Sequence, residues 1–250
     1  MLIDTHCHIL SSEYENLDEV IKLSFDNNLD KMIINGFDLD SSDEAVELSK
    51  KYDNIYSAVG IGPENVDNVT TNDIERIREL TRNKKVVAIG EIGLDYYWTK
   101  DTKEKQIFVF KEMLKIAKEC NLPVIVHLRN ATLDTYNLLK EYNVTGVMHC
   151  YSGSLDMAKE FIKLGFLIGV GGVVTFKNAK EIKNVVTNID IKNMVLETDS
   201  PYLSPEPNRG KKNIPSNVYF VAEKIADLKG IGVDEVISIT GKSACTKFDL

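Results

Sequence analysis

The sequence predicts a single-domain α/β protein, a (β/α)8 or TIM barrel that covers residues 1–250. Short apolar runs alternate with longer amphipathic segments along the whole chain, which is the pattern of strand-helix units. The apolar runs read as strands buried on both faces, as in a parallel sheet. Eight such units within 250 residues match the size of one barrel domain. An open, doubly wound sheet is the alternative, but it seldom contains so many evenly spaced units.

The predicted elements follow one another in strand-helix order. Strands are predicted from Ile3 and then at residues 31–35, 55–60, 86–91, 123–127, 146–149, 166–170 and 194–199. The first helix is predicted at residues 17–25, and the second begins at a cap near Ser41 and Ser42. The remaining helices are predicted at 72–81, 102–119, 133–141, 157–164, 179–186, 217–228 and 234–239.

Composition limits the class of protein. A formal net charge of -8 argues against a broad basic surface for nucleic acid, although a local positive site is compatible with it. No apolar run reaches the length that crosses a bilayer, and the first ten residues lack the features of a signal peptide. The four cysteines form no CxxC pair. We therefore expect a reduced, cytoplasmic protein with no membrane contact and no obligate protein partner.

Polar residues interrupt the apolar pattern where the predicted strands end. They include all four histidines of the chain, and the full set is His6, His8, Glu91, His127, His149 and Asp199. Barrel active sites lie at the carboxyl ends of the strands, so these side chains are expected to converge on one mouth. Imidazoles and carboxylates suit Zn²⁺, Mn²⁺ or Ni²⁺, with Mg²⁺ tolerated through the carboxylates. Six ligands exceed one tetrahedral site and predict two divalent metal ions that share a bridging carboxylate and a water molecule.

Five sequence blocks carry a family resemblance. IDTHCH, GEIGLDYY at 90–97, PVIVH at 123–127, HCYSGS at 149–154 and LETDSPYL at 196–203 resemble the signatures of TatD-type deoxyribonucleases, within the amidohydrolase superfamily. The resemblance implies that His6, His8 and Asp199 hold one metal ion. It also implies that His127 and His149 hold the second, that Glu91 bridges the two, and that Asp199 is the general base.

Further residues are candidates for binding substrate or orienting ligands. Arg129 lies two residues after His127 and could clamp a phosphate, with an ordinary surface arginine as the alternative. Arg209 and Lys211, with Lys212, form a basic patch that could follow a nucleic-acid backbone or simply be a solvated loop. Asp4 and Glu197 share strand faces with the proposed ligands and are expected to orient them.

The favoured function is a metal-dependent hydrolase of ester bonds, a phosphodiesterase that degrades DNA as an exonuclease from a single strand or an end. The alternative is hydrolysis of a small ester, lactone, amide or aminoacyl ester, which the same ligands would serve. A third reading is a metal-binding barrel without activity, because Gly62 stands where the family usually has a histidine.

Overall fold

Strands and helices alternate along the chain in the computed structural model, which describes residues 1–98 and 100–250. The strands form one eight-stranded sheet in chain order, from β1 to β8. They are β1 (Ile3–Cys7), β2 (Lys31–Asn35), β3 (Ile55–Val59), β4 (Val86–Asp95), β5 (Val124–Arg129), β6 (Gly146–Met148), β7 (Leu167–Val170) and β8 (Met194–Leu196). The helices are α1 (Leu17–Asp26), α2 (Leu39–Lys51), α3 (Thr71–Leu80), α4 (Lys103–Cys120), α5 (Thr132–Tyr142), α6 (Leu155–Lys163), α7 (Lys180–Asn188), α8 (Val218–Lys229) and α9 (Val233–Phe248).

The last strand returns to the first. Cys7 pairs with Ser200 in a parallel bridge, just after β8. The Asp199 amide donates to the His6 carbonyl at 2.9 Å, and the His8 amide donates to the Ser200 carbonyl at 2.7 Å. Parallel pairing in chain order together with this return is the topology of a (β/α)8 barrel, so the predicted fold class is confirmed.

The chain divides into two compact units, and each has its own buried side chains. The first consists of Met1–Ile34, Cys150–Lys163 and Leu167–Leu250. In it, α9 packs against β1 and β8, and residues such as Ile3 and Val195 are fully or almost fully buried.

The second unit consists of Asn35–His149 and Leu164–Phe166. Here α2 packs on β3 and α4 packs on β4, and all ten residues of β4 are buried. Burial of a strand on both faces is what the apolar sequence of a parallel sheet requires. None of the helices within the described part of the chain has the length and apolar composition needed to cross a membrane.

Several predicted boundaries were wrong. β4 continues four residues beyond Glu91, and β5 continues two residues beyond His127, so neither side chain ends its strand. β8 stops at Leu196, three residues before Asp199. The final helix is much longer than predicted, because its apolar pattern continues to Phe248.

The predicted cap of α2 was also misplaced. Asp38 is the N-cap, and its Oδ1 accepts the Ser41 amide at 2.8 Å. The Ser41 hydroxyl in turn accepts the Asp38 amide at 3.0 Å. Ser41 is thus the third helical residue of a capping box rather than the cap itself.

Candidate metal centre

Three proposed ligands meet in the first unit, where β1 ends beside the segment after β8. The Nε2 atoms of His6 and His8 lie 3.1 Å apart. Oδ1 of Asp199 lies 3.8 Å from Nε2 of His6 and 3.5 Å from Nε2 of His8. Alternation along β1 directs both imidazoles to one face, as the sequence predicted. Two ring nitrogens and one carboxylate oxygen therefore face a common point.

These separations fit a divalent metal ion. With bonds of 2.0–2.1 Å to nitrogen, neighbouring ligand atoms of a tetrahedral site stand roughly 3.3 Å apart. The three observed distances, from 3.1 to 3.8 Å, bracket that value. Neutral imidazole and carboxylate are also the ligand types that Zn²⁺ and Mn²⁺ accept.

A buried network behind these ligands fixes the end of β1. The carboxylate of Asp4 accepts the His6 amide at 3.2 Å and the Thr198 amide at 2.9 Å through Oδ1. Its Oδ2 accepts the Thr198 hydroxyl at 2.6 Å. Burial raises the pKa of Asp4 well above its usual range, although the hydrogen bonds from Thr198 and His6 oppose this shift. Asp4 thus joins β1 to the segment that carries Asp199, and its orienting role toward the ligands stays a prediction.

The backbone of Asp199 also contributes to its position. Its φ of 57° lies in the left-handed region, which aspartate tolerates better than most residues. The Asp199 amide is held by the His6 carbonyl, and the Tyr202 amide donates to the Asp199 carbonyl at 2.8 Å. The carboxylate is thereby held on a tight turn, with 15% of the side chain exposed.

Two further proposed ligands meet in the second unit. Nδ1 of His127 lies 2.8 Å from Oε1 of Glu91, and Nε2 of His127 lies 3.0 Å from Oδ2 of Asp95. Burial alone would lower the pKa of His127, but the hydrogen bonds to Asp95 and Glu91 outweigh burial and raise it to about 10. Two carboxylates therefore hold this imidazole from both sides.

Asp95 contacts a proposed ligand and was not among the residues predicted from the sequence. Burial would raise its pKa, yet the hydrogen bonds from His127 and from the Trp98 and Tyr97 amides lower it. A carboxylate on the second ring nitrogen is the arrangement that orients metal-binding histidines. The sequence pattern could have identified Asp95. Ile92 and Leu94 continue the alternation of the strand, which places Asp95 on the same face as Glu91.

His149 and Glu197 occupy buried positions. His149 directly follows β6, and its amide donates to the Val126 carbonyl at 3.0 Å. Glu197 directly follows β8 and is fully buried, and its Oε1 accepts the Cys150 amide at 2.5 Å. Glu197 thus contacts the backbone of the residue that follows His149, and its role in orienting a ligand stays a prediction.

The described residues could hold a metal ion. Each unit contributes candidate ligands. They are His6, His8, Cys150, Glu197 and Asp199 in the first unit, and Glu91 and His149 in the second. Glu197 and Cys150 were not predicted as ligands. Oε1 of Glu197 accepts the backbone amide of Cys150, a bond in which the Cys150 thiol takes no part.

The predicted substrate-binding cations are exposed. The Arg129 guanidinium lies over the Tyr97 ring, 4.1 Å from its centroid. The Arg209 guanidinium lies 4.3 Å from the centroid of the Phe176 ring and 3.9 Å from Glu206. Lys211 is exposed in the same loop as Arg209. Their roles toward substrate stay predictions.

Comparisons with known proteins agree on one family. A family model described as TatD related DNase matches residues 3–249. The chain is 44% identical over 248 residues to "Uncharacterized metal-dependent hydrolase YabD" of Bacillus subtilis (strain 168), covering 98% of this chain and 97% of the relative. It is 37% identical over 246 residues to "Uncharacterized metal-dependent hydrolase YcfH" of Escherichia coli (strain K12), covering 96% and 92%. The crystal structure of YJJV, a TatD homolog from Escherichia coli K12, is similar with a TM-score of 0.93 and 30% identity, covering 100% of this chain and 98% of that one.

Proposed function

The chain belongs to the TatD related DNase family of metal-dependent hydrolases, and on that premise we propose that it hydrolyses phosphodiester bonds of DNA. The substrate is a single strand or a strand end, cut as by an exonuclease. The observation that carries the proposal is the convergence of His6, His8 and Asp199, whose ligand atoms lie 3.1 to 3.8 Å apart.

The proposed centre contains two divalent metal ions, either Zn²⁺, Mn²⁺, Ni²⁺ or Mg²⁺. His6, His8 and Asp199 would hold one, and His127 and His149 would hold the other. Glu91 would be the ligand common to both ions, and its 2.8 Å contact with His127 supports this role. When bound, such ions lower the pKa of a water molecule to about 7 and neutralise charge on a phosphate. Glu91 and Asp199 cancel only part of the metal charge, so the site attracts phosphate although the protein is acidic overall.

Asp199 is the proposed general base. Its carboxylate is held by the backbone on a turn and is partly exposed, so a water molecule can reach it. The carboxylate takes one proton of the attacking water, whose oxygen forms a bond to phosphorus while the bond from phosphorus to the leaving sugar oxygen breaks. The proton then passes from the carboxyl group to that leaving oxygen, which restores the carboxylate. Arg129, Arg209 and Lys211 are proposed to bind substrate phosphates, because each is an exposed cation.

The test is a substrate panel with the metal-loaded protein. End-labelled single-stranded DNA, double-stranded DNA, RNA and a p-nitrophenyl phosphodiester are compared with a lactone and an aminoacyl ester. We expect turnover of DNA and of the phosphodiester, with product sizes that reveal attack from an end. Turnover confined to the lactone or the aminoacyl ester would contradict the proposal.

A matched variant excludes a contaminating nuclease. The double variant His6→Ala, His8→Ala, purified identically, should lose DNA hydrolysis, since two of the ligands are gone. Lys50→Ala changes only an exposed ion pair with Glu47 on α2 and should behave as the unmodified protein. Equal DNA hydrolysis by all three preparations would assign the activity to a contaminant.

A further inference from the structure

Two aromatic side chains are exposed on the turn after β4. Tyr97 is 50% exposed and Trp98 is 64% exposed. Their rings pack edge to face, with centroids 4.7 Å apart. Large aromatic side chains placed in water on a turn beside a candidate site are typical of a binding surface rather than of a core.

The Arg129 guanidinium covers this aromatic pair. Its central carbon lies 4.1 Å from the centroid of the Tyr97 ring and 5.1 Å from that of the Trp98 ring. Stacking occupies the face of the guanidinium and leaves its N–H groups available in the plane. Across residues 1–98 and 100–250, no carboxylate forms an ion pair with Arg129. The cation is thus available to an external anion.

Asp95 fixes this surface relative to His127. Its Oδ1 accepts the amides of Tyr97 at 2.8 Å and Trp98 at 2.9 Å, while its Oδ2 lies 3.0 Å from the His127 ring. Arg129 follows His127 by two residues on β5, which is roughly 6.6 Å along a strand on the same face. A group bound here would therefore lie next to whatever His127 helps to hold.

We propose that Tyr97, Trp98 and Arg129 form a stacking site for an unpaired base of a nucleic-acid strand, with Arg129 binding the phosphate of the same nucleotide. Aromatic faces accept any base, and the guanidinium fork fits a phosphate. A base inside a duplex has both faces covered by its neighbours, so the site selects single strands and frayed ends. The inference rests on the proposed function, because it names the part of the substrate that the site recognises.

The only tryptophan of the chain, Trp98, reports on the site directly. The metal-loaded protein is titrated with a single-stranded phosphorothioate oligonucleotide, which resists hydrolysis, while tryptophan fluorescence is followed. We expect saturable quenching by the single strand, and at least tenfold weaker binding of a blunt duplex of equal length. An abasic deoxyribose-phosphate oligomer should cause no quenching.

Variants test the stacking contact. Tyr97→Ala should weaken binding by on the order of ten- to a hundredfold, as loss of a base-stacking aromatic does. Arg129→Lys keeps the charge but loses the planar fork, so it should also bind less tightly. Phe108→Ala removes another exposed aromatic, on α4 and 56% exposed, and should bind as the unmodified protein does.

The outcomes separate this inference from the proposed function. One outcome is saturable quenching of the unmodified protein and weaker binding by Tyr97→Ala, with no hydrolysis of any DNA. That outcome would support the stacking site and refute the proposed DNA hydrolysis. DNA hydrolysis without quenching, or Tyr97→Ala binding as tightly as the unmodified protein, would overturn the site and leave the activity. Equal quenching of the Trp98 fluorescence by the duplex and by the single strand would also overturn the stacking site.

Discussion

The carboxylate of Asp95 holds the imidazole of His127, with Oδ2 of Asp95 3.0 Å from Nε2 of His127. The other oxygen of the same carboxylate accepts the amides of Tyr97 and Trp98. One buried side chain thus fixes both a proposed metal ligand and the exposed aromatic turn. This double contact explains why a carboxylate occurs at the end of β4.

Replacing Asp95 should weaken metal binding. The amide of Asp95→Asn has a single acceptor oxygen, so it cannot serve both the imidazole and the two backbone amides. We expect metal affinity to fall by about 10- to 100-fold, with the fold retained. Competition with a fluorescent chelator measures this. The matched control is Asp134→Asn, which replaces a partly exposed carboxylate bonded to Tyr96 and Lys103. Equal affinity in both variants would exclude the orienting role of Asp95.

Asp199→Asn should abolish turnover while the protein stays folded. The amide cannot take the proton of the attacking water, and loss of a general base typically reduces the rate by about 10² to 10⁴. The backbone N–H and carbonyl of residue 199 make the hydrogen bonds to His6 and Tyr202. Since the substitution changes only the side chain, these bonds and the turn should be preserved. The kcat for the p-nitrophenyl phosphodiester is measured from pH 5 to 9. Near-full activity across that range would show that another group is the base.

A histidine at position 62 should be accommodated and should raise nuclease turnover. Gly62 has a φ of -75°, which every residue adopts, and an added Cβ would lie 3.4 Å from the Phe37 carbonyl and 3.7 Å from the Glu91 carbonyl. These are ordinary contact distances. An imidazole there could donate to a phosphoryl oxygen, and a charge-assisted hydrogen bond of about 1.5–3 kcal/mol corresponds to roughly ten- to a hundredfold in rate.

The kinetics of Gly62→His separate two explanations of this glycine. Unchanged metal content with a higher kcat/KM on end-labelled DNA supports the expectation. A lower kcat/KM with metal content unchanged would mean that the glycine makes room for a bulkier substrate, which would weaken the assignment to DNA.

Gly93 is required for the close approach of β4 to β5. Its φ is 147°, and an added Cβ would lie 2.0 Å from the His127 carbonyl oxygen. Gly93→Ala should therefore lower the free energy of unfolding by on the order of 3 kcal/mol or more. Gly210 also has a positive φ, of 85°, but a Cβ added there would meet nothing within 4 Å. Gly210→Ala should therefore lower the free energy of unfolding by only about 1–2 kcal/mol. Urea unfolding of both variants tests the difference, and equal losses would contradict it.

Much of this protein could be predicted from its sequence because the barrel repeats one simple pattern. Apolar runs of β-branched residues fixed the number and order of the strands, and the positions of the histidines identified the candidate ligands. The ends of β4 and β5 could not be located in this way. Glu91 and His127 are polar, so they resembled strand ends, yet both lie inside strands that continue to Asp95 and Arg129.

The contacts that support the site were beyond sequence reasoning for a different reason. The Asp4–Thr198 bonds join residues 194 positions apart, and the Asp95–His127 contact joins residues 32 positions apart. Periodicity describes neighbours within one element and says nothing about such pairs. The stacking of Arg129 on Tyr97 likewise depends on the parallel register that pairs Asp95 with Arg129.

The metal stoichiometry of the purified protein tests the central claim most directly. Protein prepared with excess Mn²⁺ or Zn²⁺ and then freed of unbound metal is analysed by inductively coupled plasma mass spectrometry, beside Glu91→Ala. From the six proposed ligands, with Glu91 proposed as the one shared, we predict about two metal ions per chain and a clear loss in the variant. A ratio that stays at or below about one, with Glu91→Ala unchanged, would contradict the binuclear centre.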